Sequence, residues 1–110
     1  MTCEPLDVVA VPFPFTDRPA VKRRPALVVS SAAFNHAHAQ SILAMITSAR
    51  SVWPSDVAIR DWRQAGLHVP CRVRLKLFTL DDALMVRKLG VLSKRDGRAV
   101  AGALSRSLAV

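Results

Sequence analysis

Two prolines one residue apart, Pro12 and Pro14, close the first apolar run of the chain, Asp7-Val8-Val9-Ala10-Val11. Proline fixes φ and carries no amide hydrogen, so alternate prolines cannot feed a central ladder; the segment must become an edge or an extended loop. The run before them is short and β-branched, which suits a buried strand. The same punctuation recurs. Pro25-Ala26-Leu27-Val28-Val29-Ser30 reads as a second strand and Ser41-Ile42-Leu43-Ala44-Met45-Ile46-Thr47 as a third. Asp56-Val57-Ala58-Ile59-Arg60 alternates polar with apolar residues. Arg72 to Phe78 alternates more clearly, with Val73, Leu75 and Leu77 on one side and Arg72, Arg74 and Lys76 on the other. A sixth short strand is expected over Leu84 to Leu89, stopped by Gly90.

At Ser93 the period changes. Ser93-Lys94-Arg95-Asp96 has the spacing of a capping box. Val100, Leu104 and Leu108 then fall on one helical face, among alanines that keep helix propensity high. Short strands followed by one terminal helix describe a mainly β fold: a small, curled antiparallel barrel with a C-terminal α-helix packed on it. With 110 residues and 51% hydrophobic content, a single domain over 1–110 can bury its own core without a metal or disulfide staple.

Charge bounds the partners. Sixteen Lys and Arg against eight Asp and Glu leave a net +8, which favours nucleic acid, an anionic membrane or an acidic protein segment. A membrane span is not expected, because no apolar run approaches the ~20 residues needed. Met1 to Asp7 lacks the basic-then-apolar order of a secretory signal, so the cytoplasm is the expected compartment. Cys3 and Cys71 are expected to be reduced and inert there.

Several chemistries are unsupported. His36, His38 and His68 have no carboxylate or thiolate at ligand spacing, so no metal is expected and solvated surface positions account for them. The 4 glycines are scattered, without a phosphate-cradling loop, and no nucleophile elbow is present. The stretch from Phe13 to Arg24 offers more. Phe13 and Phe15 beside Lys22, Arg23 and Arg24 form either a stacking surface next to a phosphate-binding patch or two core rings beside a solvated basic loop.

The order of these fragments carries a resemblance. D-V-V-A-V-P-F-P-F-T-D at Asp7–Asp17 and R-R-P-A-L-V-V-S at Arg23–Ser30 are followed by Ile46-Thr47-Ser48 and Ala65-Gly66-Leu67. Lys76-Leu77-Phe78-Thr79-Leu80 and Arg87-Lys88-Leu89-Gly90-Val91-Leu92-Ser93 complete the set. Together they resemble the MazF/PemK family of toxin–antitoxin ribonucleases from about Leu6 to Leu108. The resemblance implies an SH3-like barrel of the CcdB/PemK type and a homodimer. It further implies cofactor-free, metal-independent and sequence-specific cleavage of single-stranded RNA such as mRNA, with a cognate antitoxin as partner. It assigns the catalytic arginine before the second-strand proline to Arg24, and the catalytic threonine at the end of the third strand to Thr47. The RNA-binding surface is expected over Phe15, Asp17, Lys22 and Arg23, with Ser48 and Arg50 after the third strand; Phe15 could equally serve a core or dimer interface. Cys71 stands where a serine is common, and Arg74-Leu75-Lys76 is more basic than in many relatives. No general base is evident: arginine's pKa lies above ~12, which leaves His36 as a remote candidate. Two other functions fit the same barrel, a CcdB-like DNA gyrase poison and a non-catalytic RNA-binding module.

Overall fold

The computed structural model describes residues 2–13 and 22–110. One six-stranded antiparallel sheet organises them, in the order β4-β5-β3-β2-β1-β6. The strands are β1 (Asp7–Phe13), β2 (Lys22–Val28), β3 (Gln40–Thr47), β4 (Val57–Ala58), β5 (Arg72–Asp81) and β6 (Arg87–Val91). Helix α1 (Ala32–His38) joins β2 to β3, and α2 (Lys94–Ser107) closes the chain. The expected mainly β, curled sheet with a C-terminal helix is what forms.

Alternation builds both sides of the sheet. Val8, Leu27, Ala44, Ile46 and Val73 meet α2 residue Val100 and the segment Ile59 to Leu67 on one side. Val9, Val11, Ala26, Val28 and Leu43 meet Cys3, Leu80 and Met85 on the other. Cys3 and Cys71 are thus buried in different clusters and unpaired.

Proline chemistry shapes the strand ends. Pro12 lies within β1, paired with Arg23 of β2, but β6 accompanies β1 only over Asp7 to Ala10. The missing donor therefore interrupts no ladder on that flank. Helix α1 was not expected, since seven residues carry no readable period. Its start is chemical: Ser31 Oγ accepts from the Phe34 N–H at 3.1 Å, and left-handed Ala39 ends it. Buried Asn35 ties it to the core, donating to the Cys3 carbonyl at 2.8 Å and accepting from the Ser30 hydroxyl.

The last helix begins at Ser93 as expected, the hydroxyl accepting from the Asp96 N–H. Asp96 does not reach back to the cap. Its buried carboxylate accepts from the N–H groups of Arg60 (3.1 Å) and Asp61 (2.9 Å) and so fixes the turn after β4. Leu108 lies beyond the helix and is exposed, so the apolar face ends at half-buried Leu104. The sixth strand is displaced from expectation: a 3₁₀ turn occupies Asp82–Leu84, and β6 runs through Gly90 rather than stopping there.

Strand β5 also carries an irregularity in its pairing with β3. Ala44 pairs with Leu77 but Met45 with Arg74, so two extra residues of β5 bulge out. Because the slip is of two residues, side-chain parity is kept: Leu77 opposite Ala44 and Val73 opposite Ile46 stay on one face. Arg74 is buried because it bonds Asp56 and the Ser51 carbonyl, while Leu77 on the opposite face is exposed, so the pattern of cover, not the alternation, differs from expectation.

Candidate active-site cleft

The site begins where a ladder fails. Val29 N–H donates to the Ile42 carbonyl, so by alternation the backbone groups of Leu27 and residue 25 also face β3. Residue 25 is proline and has no hydrogen for the Ile46 carbonyl. Pairing between β2 and β3 ends at Ala26 and Met45. Continued by two residues, the same register sets Arg24 across from Thr47, but on strands that have begun to separate. A cleft of about 390 Å³ opens there, lined by both residues together with Arg23, Pro25, Ile46 and Ser48.

Its other wall comes from β6 and the loop before β5. Arg87 and Leu89 contribute from β6, and His68, Val69 and Cys71 from the loop. Two glycines set this juxtaposition. Gly66 has φ +81°, and a Cβ there would stand 2.0 Å from the Leu89 carbonyl oxygen; a Cβ on Gly90 would stand 2.6 Å from the Ala65 carbonyl. The loop crosses β6 backbone to backbone, which only glycine permits.

Charge in the described cleft is of one sign. Arg23, Arg24 and Arg87 line it, and among the described residues no carboxylate pairs with any of them. Arg24 lies over the Phe13 ring, 5.3 Å from its centroid, which braces the guanidinium without neutralising it. Thr47 Oγ accepts from the Ala49 N–H at 3.1 Å. A hydroxyl also has one hydrogen to donate, and the lining position of Thr47 makes that donor available to a ligand. Burial pushes the Cys71 thiol up, so it stays protonated near neutrality and is no nucleophile.

Beyond Thr47 the chain is pinned. Buried Arg74 donates to the Ser51 carbonyl at 2.7 Å, and Arg72 donates to the same carbonyl at 2.8 Å and to that of Ala49. Asp56 accepts from Arg74 Nε (3.1 Å) and Nη2 (2.9 Å), from Arg72 Nε (3.3 Å) and from the Trp53 N–H (2.9 Å). Chiefly through the Arg74 bonds, its carboxyl is held at about 2. The Trp53 ring lies within 4.9 Å of the Arg74 guanidinium and 5.4 Å of the Lys76 ammonium. The segment leaving Ser48 is therefore clamped at several points rather than free.

Of the eight residues expected to carry function, Arg24, Thr47, Arg23 and Ser48 share the cleft. Lys22 and Arg50 are exposed and do not line it; Phe15 and Asp17 lie outside the described residues. His36 sits on α1 beside a separate hollow with Asn35 and Asp82, which removes it as a partner of Arg24. Arg87 and His68 had no assigned role from sequence. The glycines of Ala65-Gly66-Leu67 and Leu89-Gly90 were the available signal, since their contact is what brings the two side chains in. Among the described residues no group of three His, Cys, Asp or Glu could hold a metal ion.

Residues 4–108 match the family described as PemK-like, MazF-like toxin of type II toxin–antitoxin systems. The fold is similar to MazF of Deinococcus radiodurans, with TM-score 0.77 and 25% identity over 100% of this chain and 99% of that one. It is similar also to an endoribonuclease in complex with its cognate antitoxin from a Mycobacterial species (TM-score 0.77, 20% identity, 98% and 96% covered). The Mycobacterium tuberculosis toxin MazF-mt6 follows at TM-score 0.73 and 20% identity, with 91% and 93% covered. At 20% identity these last two likenesses are of fold. No curated protein matches the sequence.

Proposed function

The chain belongs to the PemK-like, MazF-like toxins of type II toxin–antitoxin systems, and from that premise we propose that it is a metal-independent endoribonuclease that cuts single-stranded RNA, mRNA being the expected class, at preferred sequences. The observation that carries this reading is the cleft at the β2–β3 split, lined by Arg24 and Thr47 together with Arg23 and Arg87; no carboxylate pairs with these arginines among the described residues. RNA supplies its own nucleophile, the 2′-hydroxyl next to the scissile phosphate. The protein has to align that hydroxyl, stabilise charge on the phosphorane and manage protons.

Arg24 suits the second task, because a guanidinium is permanently charged and can grip two phosphate oxygens. Arg23 and Arg87 stand on the same cleft to hold the flanking backbone. Thr47 donates its hydroxyl hydrogen to a non-bridging phosphate oxygen while the Ala49 N–H holds its oxygen in place. The 2′-oxygen attacks phosphorus, the bond to the 5′-oxygen breaks, and a 2′,3′-cyclic phosphate and a 5′-hydroxyl result. Phosphate contacts alone carry no sequence information. Preference comes from side chains around the cleft mouth, among which Ser48 opens the clamped segment that ends at Asp56.

An antitoxin fits the same surface. The +8 charge draws an acidic, extended segment across the arginines, where it competes with RNA. The Mycobacterial endoribonuclease is in complex with its cognate antitoxin, and the D. radiodurans MazF has a crystal structure with MazE. A homodimer and a cytoplasmic site of action complete the reading; no helix among the described residues is long and apolar enough to cross a membrane.

The test is incubation of purified protein with a long single-stranded RNA, with and without EDTA, followed by sequencing of the ends. Cleavage in both samples at a recurrent motif, with cyclic phosphate ends, is expected. Arg24→Ala should lose about 10²–10³-fold in rate while its melting curve and oligomeric state stay those of the parent. RNA left intact by the parent protein would overturn the reading.

A further inference from the structure

We propose that His68 is the proton acceptor for the attacking 2′-hydroxyl, a role that rests on the ribonuclease reading above. The reaction releases a proton from that hydroxyl as the oxygen closes on phosphorus, and the side chains of the described cleft differ sharply in their ability to take it. Arg23, Arg24 and Arg87 are donors without an acceptor site. Thr47 and Ser48 are neutral hydroxyls, poor proton acceptors near neutrality, and Thr47 already accepts from Ala49. Cys71 is a thiol kept protonated by burial, its sulfur 3.3 Å from the Val69 carbonyl oxygen. No carboxylate lines the described walls. His68 is the group that remains, and imidazole is the side chain whose neutral form accepts a proton near physiological pH.

Its placement is built rather than incidental. Ala65 and Leu67 are buried on either side of Gly66, and Gly66 rests against the Leu89–Gly90 backbone. The exposed residue directly after this anchored crossing is His68, which lines the same cleft as Arg23, Arg24, Thr47 and Arg87. The neutral imidazole nitrogen takes the 2′-hydroxyl proton as the O2′–P bond forms. The P–O5′ bond breaks, the departing 5′-oxygen takes a proton from water, and the imidazolium then releases its proton to solvent. Atoms and charges balance without any other reactant.

Single-turnover cleavage of one RNA, measured from about pH 5 to pH 9, tests the assignment on the parent protein and on His68→Gln, His68→Ala and Arg24→Ala. The parent rate should climb with pH on the acid side and then level off. His68→Gln should be slower by about 10²–10⁴-fold at neutrality, lose that acid limb, and keep the parent's RNA affinity and melting temperature. Imidazole added to the buffer should restore part of the rate to His68→Ala and none to Arg24→Ala. A His68→Gln protein that cuts within twofold of the parent overturns the role, as does one that is slow at every pH yet keeps the limb. Both outcomes leave the ribonuclease reading standing, whereas a parent protein that cuts no RNA removes both.

Discussion

Replacing Gly66 by alanine isolates the contact on which one wall of the cleft depends. Two penalties add. The backbone sits at φ +81°, where an L side chain costs about 1–2 kcal/mol. The new Cβ would also stand 2.0 Å from the Leu89 carbonyl oxygen, about 1.4 Å inside ordinary contact. A strand carbonyl cannot swing aside as a flexible side chain can, so the loop must lift off β6, and overpacking of this kind costs about 1–3 kcal/mol. The total, about 2–5 kcal/mol, should lower the melting temperature by at least 8 °C, at about 4–8 °C per kcal/mol for a domain near this size. Gly102→Ala is the internal control. On helix α2 its Cβ would meet only the end of the Arg106 side chain, at 3.1 Å from Nη1, and alanine gains about 0.5–1 kcal/mol over glycine in a helix. Thermal melts followed by circular dichroism should therefore move in opposite directions. A Gly66→Ala protein melting within about 2 °C of the parent, a shift worth under 1 kcal/mol, would refute the argument that the crossing requires glycine.

Thr47→Val keeps the shape and removes the hydroxyl; RNA cleavage should fall by about 10–10²-fold, in line with loss of a hydrogen bond to a charged group, with binding read by a gel-shift assay nearly unchanged. Arg87→Gln should weaken RNA binding and make its dependence on salt shallower by about one phosphate contact, measured by titration at several ionic strengths. Asp56→Asn removes the charge that Arg74 and Arg72 grip, and should cost about 3 kcal/mol in urea unfolding because buried Arg74 loses its partner. The same pair fixes the sign of an acid effect. The Asp56 carboxyl is lowered in the folded protein to about 2 from 3.8, so its contribution is full above about pH 5 and is lost as pH falls toward 2. The parent should therefore lose stability over that window, and Asp56→Asn should lose less.

Much of the sheet was legible because its signals are local. The β-branched run at Val8 to Val11, the alternation around Val73 and the Ser93 cap each depend on neighbouring residues, and each formed an element where expected. Arg24 and Thr47 were named through the family resemblance, and that both line one cleft depends on strand register. What escaped was non-local. The burial of Arg74 and exposure of Leu77 follow from what covers each face, Asp56 and the Ser51 carbonyl over Arg74, which no periodicity in β5 alone reveals. Gly90 looked like a stop because glycine usually punctuates; here it admits a backbone passing from elsewhere in the chain. Helix α1 is too short for a period and rests on a single serine cap and one buried asparagine. His68 reaches the cleft only through the Gly66–Gly90 crossing, a contact between segments more than twenty residues apart.

The pyrrolidine ring at position 25 places stability and the proposed RNA cleavage in opposition. Any other residue there would bring an amide hydrogen toward the Ile46 carbonyl and could add a rung worth about 1 kcal/mol, zipping the sheet toward Arg24 and Thr47. Selection for a sturdier fold would favour that replacement, and selection for a substrate-sized opening would reject it. A screen for thermostable variants of this chain should thus recover substitutions of Pro25 that are robust and inert, which marks the position as a single-site means of disarming the protein without unfolding it.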